Sequence, residues 1–445
     1  MNGCALKRLL GTWTIVFVGL GVAIGSGVFT TPGDMAGWIP SPGWLLVAWI
    51  AGGAITYLQA LVTAELATRF PQAGAEYQYL RAAYGDFAAF FFGWSFTIFV
   101  TGAGTGVIAA GLGRLASQLF GWSVPAAESV FGCAALALVT AANVIGLRAG
   151  AVFQNLLTIL KVATVVGIGI VAWVGAGRWT PQVETTPIDA VTAKGFLLGL
   201  VSVMWSYAGA TDSAKLAEEM RDARQRLPRA LASTTIFLTA VYVLYQYGLL
   251  CAATPQAMRG SGSAAAAALS RVGLTGFREV VLIAGILVCL GSISSTILSN
   301  VRVTFALARD GLAPAALARM NAGQSPVWSQ MLAAGIAAVF VLQRSFTEIL
   351  GIYFVASTIL YGMAYVSLIV FRARDRRAGI RRDEVFLAPG GVGTALFVTS
   401  VQMLIAIFVA MEEIGRGGHD WLYTLGVLAI VAGAFPLWRK IAKRQ

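Results

Sequence analysis

Histidine is almost missing from this chain: its 445 residues include one, His419, and only four cysteines. A single histidine leaves nothing from which a catalytic or metal centre could be assembled at depth, so no enzyme, no metal and no cofactor is expected. The cysteines stand far apart, at 4, 133, 251 and 289, and imply no disulfide framework. Charge is scarce as well. Charged residues make up 12% of the chain against 58% hydrophobic ones, and the mean hydropathy is +0.76, which excludes a soluble multidomain protein.

Long apolar runs fill the chain instead. Twelve approach the roughly 20 residues a helix needs to cross a bilayer: 12–37, 42–68, 86–113, 124–146, 153–175, 195–218, 229–252, 279–307, 328–343, 346–371, 393–411 and 421–437. The expected fold class is therefore an all-α integral membrane protein with twelve transmembrane helices. The first run continues past its apolar stretch without a small-residue cleavage site, so no cleavable signal peptide is expected. With the N-terminus inside, 23 basic residues fall in inner segments and 8 in outer ones. That bias places both termini in the cytoplasm and makes the chain multi-pass in the cytoplasmic (inner) membrane. It also gives the net charge of +12 a topological cause, so the lipid bilayer is the expected partner and nucleic acid is not.

Two of the runs are interrupted. Gly25-Ser26-Gly27 breaks the first in its middle, each glycine lowering helix propensity by about 1 kcal/mol. Backbone freed at mid-membrane must be satisfied by protein, water or a ligand, which implies a cavity. A second half-helix starting near Val28 aims unpaired N–H groups and a partial positive charge into that cavity, an arrangement suited to a carboxylate. The sixth run is broken by Ser206-Tyr207-Ala208-Gly209-Ala210-Thr211-Asp212. The two breaks fall in helices one and six, each opening a set of five, and because five is odd the second set enters the membrane from the opposite side. The pattern is a 5+5 inverted repeat with discontinuous helices 1 and 6 and a binding site between them. The expected units are 9–175, 195–371 and a peripheral pair of helices at 393–437.

Lys161 is the one basic residue left within a helix once the charges toward the span ends are counted with the inner and outer segments. Ten residues into helix five, at about 1.5 Å each, it reaches roughly the middle of the hydrocarbon core. A lysine there must face protein or water and find partners. Its expected role is to stand in for a metal cation and carry a coupling proton. Helix eight gathers Ser292, Ser294, Ser295 and Thr296 on one segment, and helix ten offers Tyr353 and Ser357 as pocket-wall residues. The charge run AEEMRDARQRLPRAL at the inner end of helix six reads as a solvated face, and SGSAAAAALSRVG between helices seven and eight as a linker or a short outer lid helix. Helices eleven and twelve read as scaffold or dimer contact.

Four stretches carry a resemblance to a known family: the GSG break followed by Pro32, the Phe70-Pro71…Ala73-Gly74…Tyr77-x-Tyr79 loop, the acidic pair then Leu-Pro-Arg-Ala after the second break, and Arg309-Asp310-Gly311…Pro314. Together they resemble the amino acid–polyamine–organocation (APC) superfamily, closest in type to sodium-independent L-amino acid transporter-like bacterial members, over Leu9 to Val370. The resemblance implies a LeuT-like permease working by alternating access. It places carboxylate-binding amides on Ser26, Gly27 and Val28, amine-binding carbonyls on Ile24, Tyr207, Ala208 and Ala210, and gating aromatics on Trp205 and Tyr207. It further implies sodium-independent transport, with Lys161 bridging helix one to Ser294 or Ser295, and either antiporter (exchange) or proton symporter coupling. A neutral L-amino acid is the expected cargo, since the first break has no acidic side chain; a cationic amino acid or polyamine antiporter and a channel are the alternatives. Some relatives bind an accessory glycoprotein through a cysteine after helix three. The loop 112–124 has none, so no accessory subunit is expected. The chain departs from the family in having Ala210-Thr211 where a glycine-tryptophan pair is usual.

Overall fold

The computed structural model describes residues 10–122, 124–145, 147–183, 191–261, 263–380, 384–415 and 417–442. The long helices are α1 (Thr12–Ala23), α2 (Gly27–Trp38), α3 (Pro42–Arg69), the loop helix α4 (Glu76–Tyr84), α5 (Asp86–Phe120), α6 (Pro125–Ile145), α7 (Leu147–Ala176), α8 (Ala193–Tyr207), α9 (Ala223–Ala252), α10 (Arg278–Arg309), α11 (Val327–Gln343), α12 (Phe346–Ala378), α13 (Val392–Gly415) and α14 (Asp420–Ala442). Among the described residues, nine helices are long and apolar enough to cross a membrane, and α1 with α2, bent by 46° at their junction, make up to ten if the pair is counted as one span. The expected sixth and ninth spans are shorter: α8 has 15 residues and α11 has 17.

Burial sorts the helices into an inner and an outer set. The most apolar 18-residue window of α5 is 94% buried, whereas those of α13 and α14 are 22% and 17% buried. The exposed faces of α6, α7, α11, α13 and α14 carry Leu138, Val174, Leu342, Leu404 and Ile430, a surface suited to lipid and costly in water. Inside, α1 packs on α7, α9 and α10, α2 on α8, and α5 on α6, α10 and α12. One turn of α5, Phe96–Ala103, widens to π-helical geometry where it passes α10 and α12. Such bulges are often found at functional sites. The backbone of Leu10 pairs with Glu219 and Arg221, tying the start of the chain to the far side of the second break.

The segment read as linker or lid is helical in part. Pro255–Met258 and Ala264–Arg271 form two short helices, capped by the Thr254 and Ser263 side chains, that cover the end of α2.

Candidate functional site

Helix α1 stops at Ala23 because Ile24 turns extended (φ −76°, ψ 93°), and α2 restarts at Gly27. Among the described residues, the N–H groups of Ser26, Gly27 and Val28 donate no hydrogen bond, and no side chain caps α2. The positive end of a helix is therefore left open inside the protein. Gly27 is required by space: a Cβ there would stand 2.8 Å from Trp205 Cδ1 and 2.9 Å from Ser206 Oγ.

The second break faces the first. Helix α8 ends at Tyr207, and Gly209 turns the chain with φ +86°, a conformation that costs any other residue steric strain. The chain then continues as a tight 3₁₀ helix over Asp212–Glu219. Tyr242 of α9 clamps the two breaks together, its hydroxyl within hydrogen-bond reach of the Ala23 carbonyl (3.0 Å) and the Ser206 carbonyl (2.8 Å).

Between the breaks lies a small cavity. The first break contributes Gly25, Ser26 and Gly27, the second Trp205, Ala208, Gly209 and Asp212, helix α10 Thr296 and Asn300, and α12 Tyr353, with Val100, Gly104 and Ile108 of α5 completing the wall. Four buried polar atoms of this wall have no partner: Ser26 Oγ, Trp205 Nε1, Thr296 Oγ1 and Asn300 Oδ1. Native proteins pair nearly all such groups, because each orphan costs about 1–3 kcal/mol. Four around one hollow mark a place that awaits a polar ligand. Trp205 meets Tyr353 edge to face at 5.1 Å and forms the apolar part of the wall.

The residues singled out from sequence divide between this cavity and its surroundings. Ser26, Gly27, Trp205, Ala208 and Tyr353 line it. Tyr207 and Ala210 line a neighbouring cavity bounded by α3, α12 and α13, which Ala208 and Tyr353 also touch. The Tyr207 hydroxyl donates to the Trp49 carbonyl, away from the first hollow. Two of the expected amine-binding carbonyls are already engaged, Ile24 by Ser292 Oγ at 2.5 Å and Tyr207 by the Ala210 N–H at 3.2 Å. Val28 adds only its peptide group, its side chain being fully buried.

Lys161 of α7 is buried to 2% exposure and donates to the Gly21 carbonyl (2.6 Å) and to Ser292 Oγ (2.8 Å). It thus joins α1 to α10, but through Ser292, and the expectation of Ser294 or Ser295 is corrected. Helical periodicity explains the difference. Ser294, two positions on from Ser292, faces α6 and donates to Asn143 Oδ1, while Ser295 Oγ bonds back to the Gly291 carbonyl of its own helix.

The charge run after the second break is also corrected. Lys215 is fully buried, with its ammonium 2.5 Å from Asp212 Oδ1 and 3.8 Å from Glu76 Oε2, and it lies over the Phe96 ring. Glu219 pairs with the fully buried Arg302 at 2.7 Å, and Glu218 holds both Arg309 and the Ala73 N–H. Nearby, Glu65 accepts from Arg69 and Arg372, and Arg69 also reaches Asp375. These pairs fill the space between the cavity and the end of the bundle where α3, α10 and α12 finish. From Arg221 on, the charged residues of the run, Arg221, Asp222, Arg224, Arg226 and Arg229, are exposed as expected.

Sequence reasoning missed Thr296, Asn300 and Asp212 as members of the cavity wall. The first two follow Ser292 at i+4 and i+8, and that polar stripe on one face of an apolar helix was the available signal.

Facing helix breaks around a polar cavity, with an apolar outer surface, are the features of an integral membrane carrier. The chain matches the family model described as amino acid permease over residues 10–435, so it belongs to that family, within the APC superfamily, whose members are transporters and not enzymes. It is 28% identical over 377 residues to the serine/threonine exchanger SteT of Bacillus subtilis, covering 83% of this chain and 85% of the relative. It is 24% identical over 435 residues to the mouse b(0,+)-type amino acid transporter 1 (96% and 87%), and 26% identical over 384 residues to the human Asc-type amino acid transporter 1 (83% and 72%).

Proposed function

We propose that the protein carries neutral L-amino acids across the cytoplasmic membrane by alternating access, without sodium, by exchange or proton coupling. The observation that carries this reading is the pair of facing breaks with open N–H groups at Ser26–Val28 and orphan polar atoms around one hollow. In this reading the α-carboxylate rests on the N-terminus of α2, and the ammonium lies against the carbonyl of Ala208, the one expected amine-binding carbonyl that both lines this cavity and accepts no hydrogen bond among the described residues. Neither end of a zwitterion can shed its water in lipid, so a site that replaces both hydration shells is what a carrier needs. The name of the B. subtilis relative, a serine/threonine exchanger, supports small neutral cargo and exchange.

Sodium independence rests on Lys161. Its ammonium fills the space between α1 and α10 where sodium-coupled carriers of this architecture hold a cation. The fuller architecture belongs to the same proposal: α8 with the 3₁₀ segment as a broken sixth span, α11 as the ninth, twelve spans in a 5+5 inverted repeat, both termini cytoplasmic, and no accessory subunit. The test is uptake of radiolabelled serine into proteoliposomes holding the purified protein. Uptake accelerated by internal serine and unchanged when sodium is replaced by choline is expected. Absence of uptake of any amino acid, with or without internal amino acid, refutes the assignment.

A further inference from the structure

Among the described residues, Asp212 is the only charged one in the wall of the cavity. A lone carboxylate in a cavity of low dielectric would select a positively charged side chain. Here one of its oxygens, Oδ1, receives the Lys215 ammonium at 2.5 Å and the Tyr361 hydroxyl at 3.2 Å. Lys215 is itself sealed, with no exposure, between Asp212, the Phe96 ring and Glu76. The second carboxylate of this cluster, Glu76, sits on the loop helix α4, and burial raises its pKa above the ordinary glutamate value. Glu76 stands farther from the ammonium than Asp212 does, 3.8 Å against 2.5 Å, so the ammonium is matched first to Asp212 and offsets the carboxylate that the cavity would otherwise present.

We propose that Lys215 sets the charge class of the cargo: by neutralising Asp212 from behind the cavity wall, it keeps cationic side chains out of a site that would otherwise take them. This rests on the transport reading above and goes beyond it by naming the residue that decides between neutral and cationic amino acids. Asn300 Oδ1 remains as an unpartnered acceptor in the cavity wall, which fits a short neutral side chain carrying a hydrogen-bond donor.

The experiment compares inhibition of serine uptake by lysine and by alanine in proteoliposomes. The variant E76Q/K215M removes one carboxylate together with the ammonium, so it leaves Asp212 as a single unpaired charge without stranding a second one. Lysine inhibition relative to alanine should strengthen by about tenfold or more in this variant. Adding Asp212→Asn should abolish the gain, and Lys215→Arg should keep the wild-type ratio. If wild type transports and the E76Q/K215M ratio stays within about twofold of it, the role of Lys215 is overturned while the transport reading stands. If the variant folds but does not transport, stabilisation of the detergent-solubilised protein by lysine replaces uptake as the readout, and equal stabilisation by lysine and alanine overturns the proposal. If it does not fold, Asp212→Asn alone is decisive. It leaves the ammonium uncompensated by the wall, so relative inhibition by glutamate should rise about fivefold or more, and an unchanged ratio overturns the proposal.

Discussion

Ser292→Ala tests the junction between the first break and α10 most directly. The serine hydroxyl donates to the Ile24 carbonyl at 2.5 Å and accepts from the Lys161 ammonium at 2.8 Å. Alanine keeps the helix and the packing but leaves two buried groups short of a partner. Losing a hydrogen bond to a charged group costs about 1.5–3 kcal/mol, and stranding a buried carbonyl about 1–3 kcal/mol. The two losses overlap, because the ammonium and the Ile24 oxygen are separated by no more than the two bonds that met at the hydroxyl and can move together once it is gone. A net destabilisation of about 2–4 kcal/mol follows. The assay is equilibrium unfolding of the purified protein in mixed micelles, run as a cycle with Lys161→Met. In the Lys161→Met background only the Ile24 bond remains to be lost, so Ser292→Ala should cost less there by about 1 kcal/mol or more. Effects that add to within about 0.5 kcal/mol would show that the lysine and the serine do not act together, and the reasoning would fail.

Three further outcomes are expected. Asn300→Ala removes an acceptor that has no partner, so it should leave thermal stability unchanged or slightly raised while increasing the KM for serine by about tenfold; a fall in stability without a change in KM would remove Asn300 from the site. Gly27→Ala forces a methyl against Trp205 and Ser206 and should cut uptake by about tenfold or more at a stability cost of about 1–3 kcal/mol, and unimpaired uptake would show that Trp205 is free to move aside. Gly209→Ala combines the cost of a positive φ, about 1–2 kcal/mol, with a contact of 2.3 Å to Val22 Cγ1; pairing it with Val22→Ala should relieve the contact and leave the backbone cost, as read by unfolding of the single and double variants.

Much of the architecture was legible in the chain because its signals are local. Gly25-Ser26-Gly27 and Gly209 declare breaks through their own conformational preferences, and the lone lysine at 161 declares its depth by counting residues from the end of its helix. Rotation about a helix axis is not local, and the reading failed where rotation matters. Ser292, Ser294 and Ser295 are equivalent in sequence, and only the packing of α10 against α1 chooses Ser292. Thr296 and Asn300 were overlooked for the same reason. The burial of Lys215 and Glu219 was missed because a charge run is ordinarily solvated, and the arginine that buries Glu219 comes from α10, 83 residues further along the chain.

The ion pairs packed beneath the cavity have a consequence for how that end of the molecule can move. Closing a passage with apolar side chains would make every opening expose oily surface to water, at a cost proportional to the area uncovered. Glu218, Glu219, Arg302 and Arg309 surrender their attraction when they part, yet each recovers hydration in return, so the two states lie close in free energy. Under the proposed alternating access, pairs of this kind would let that end admit water and shut again without an outside source of energy to pull it open.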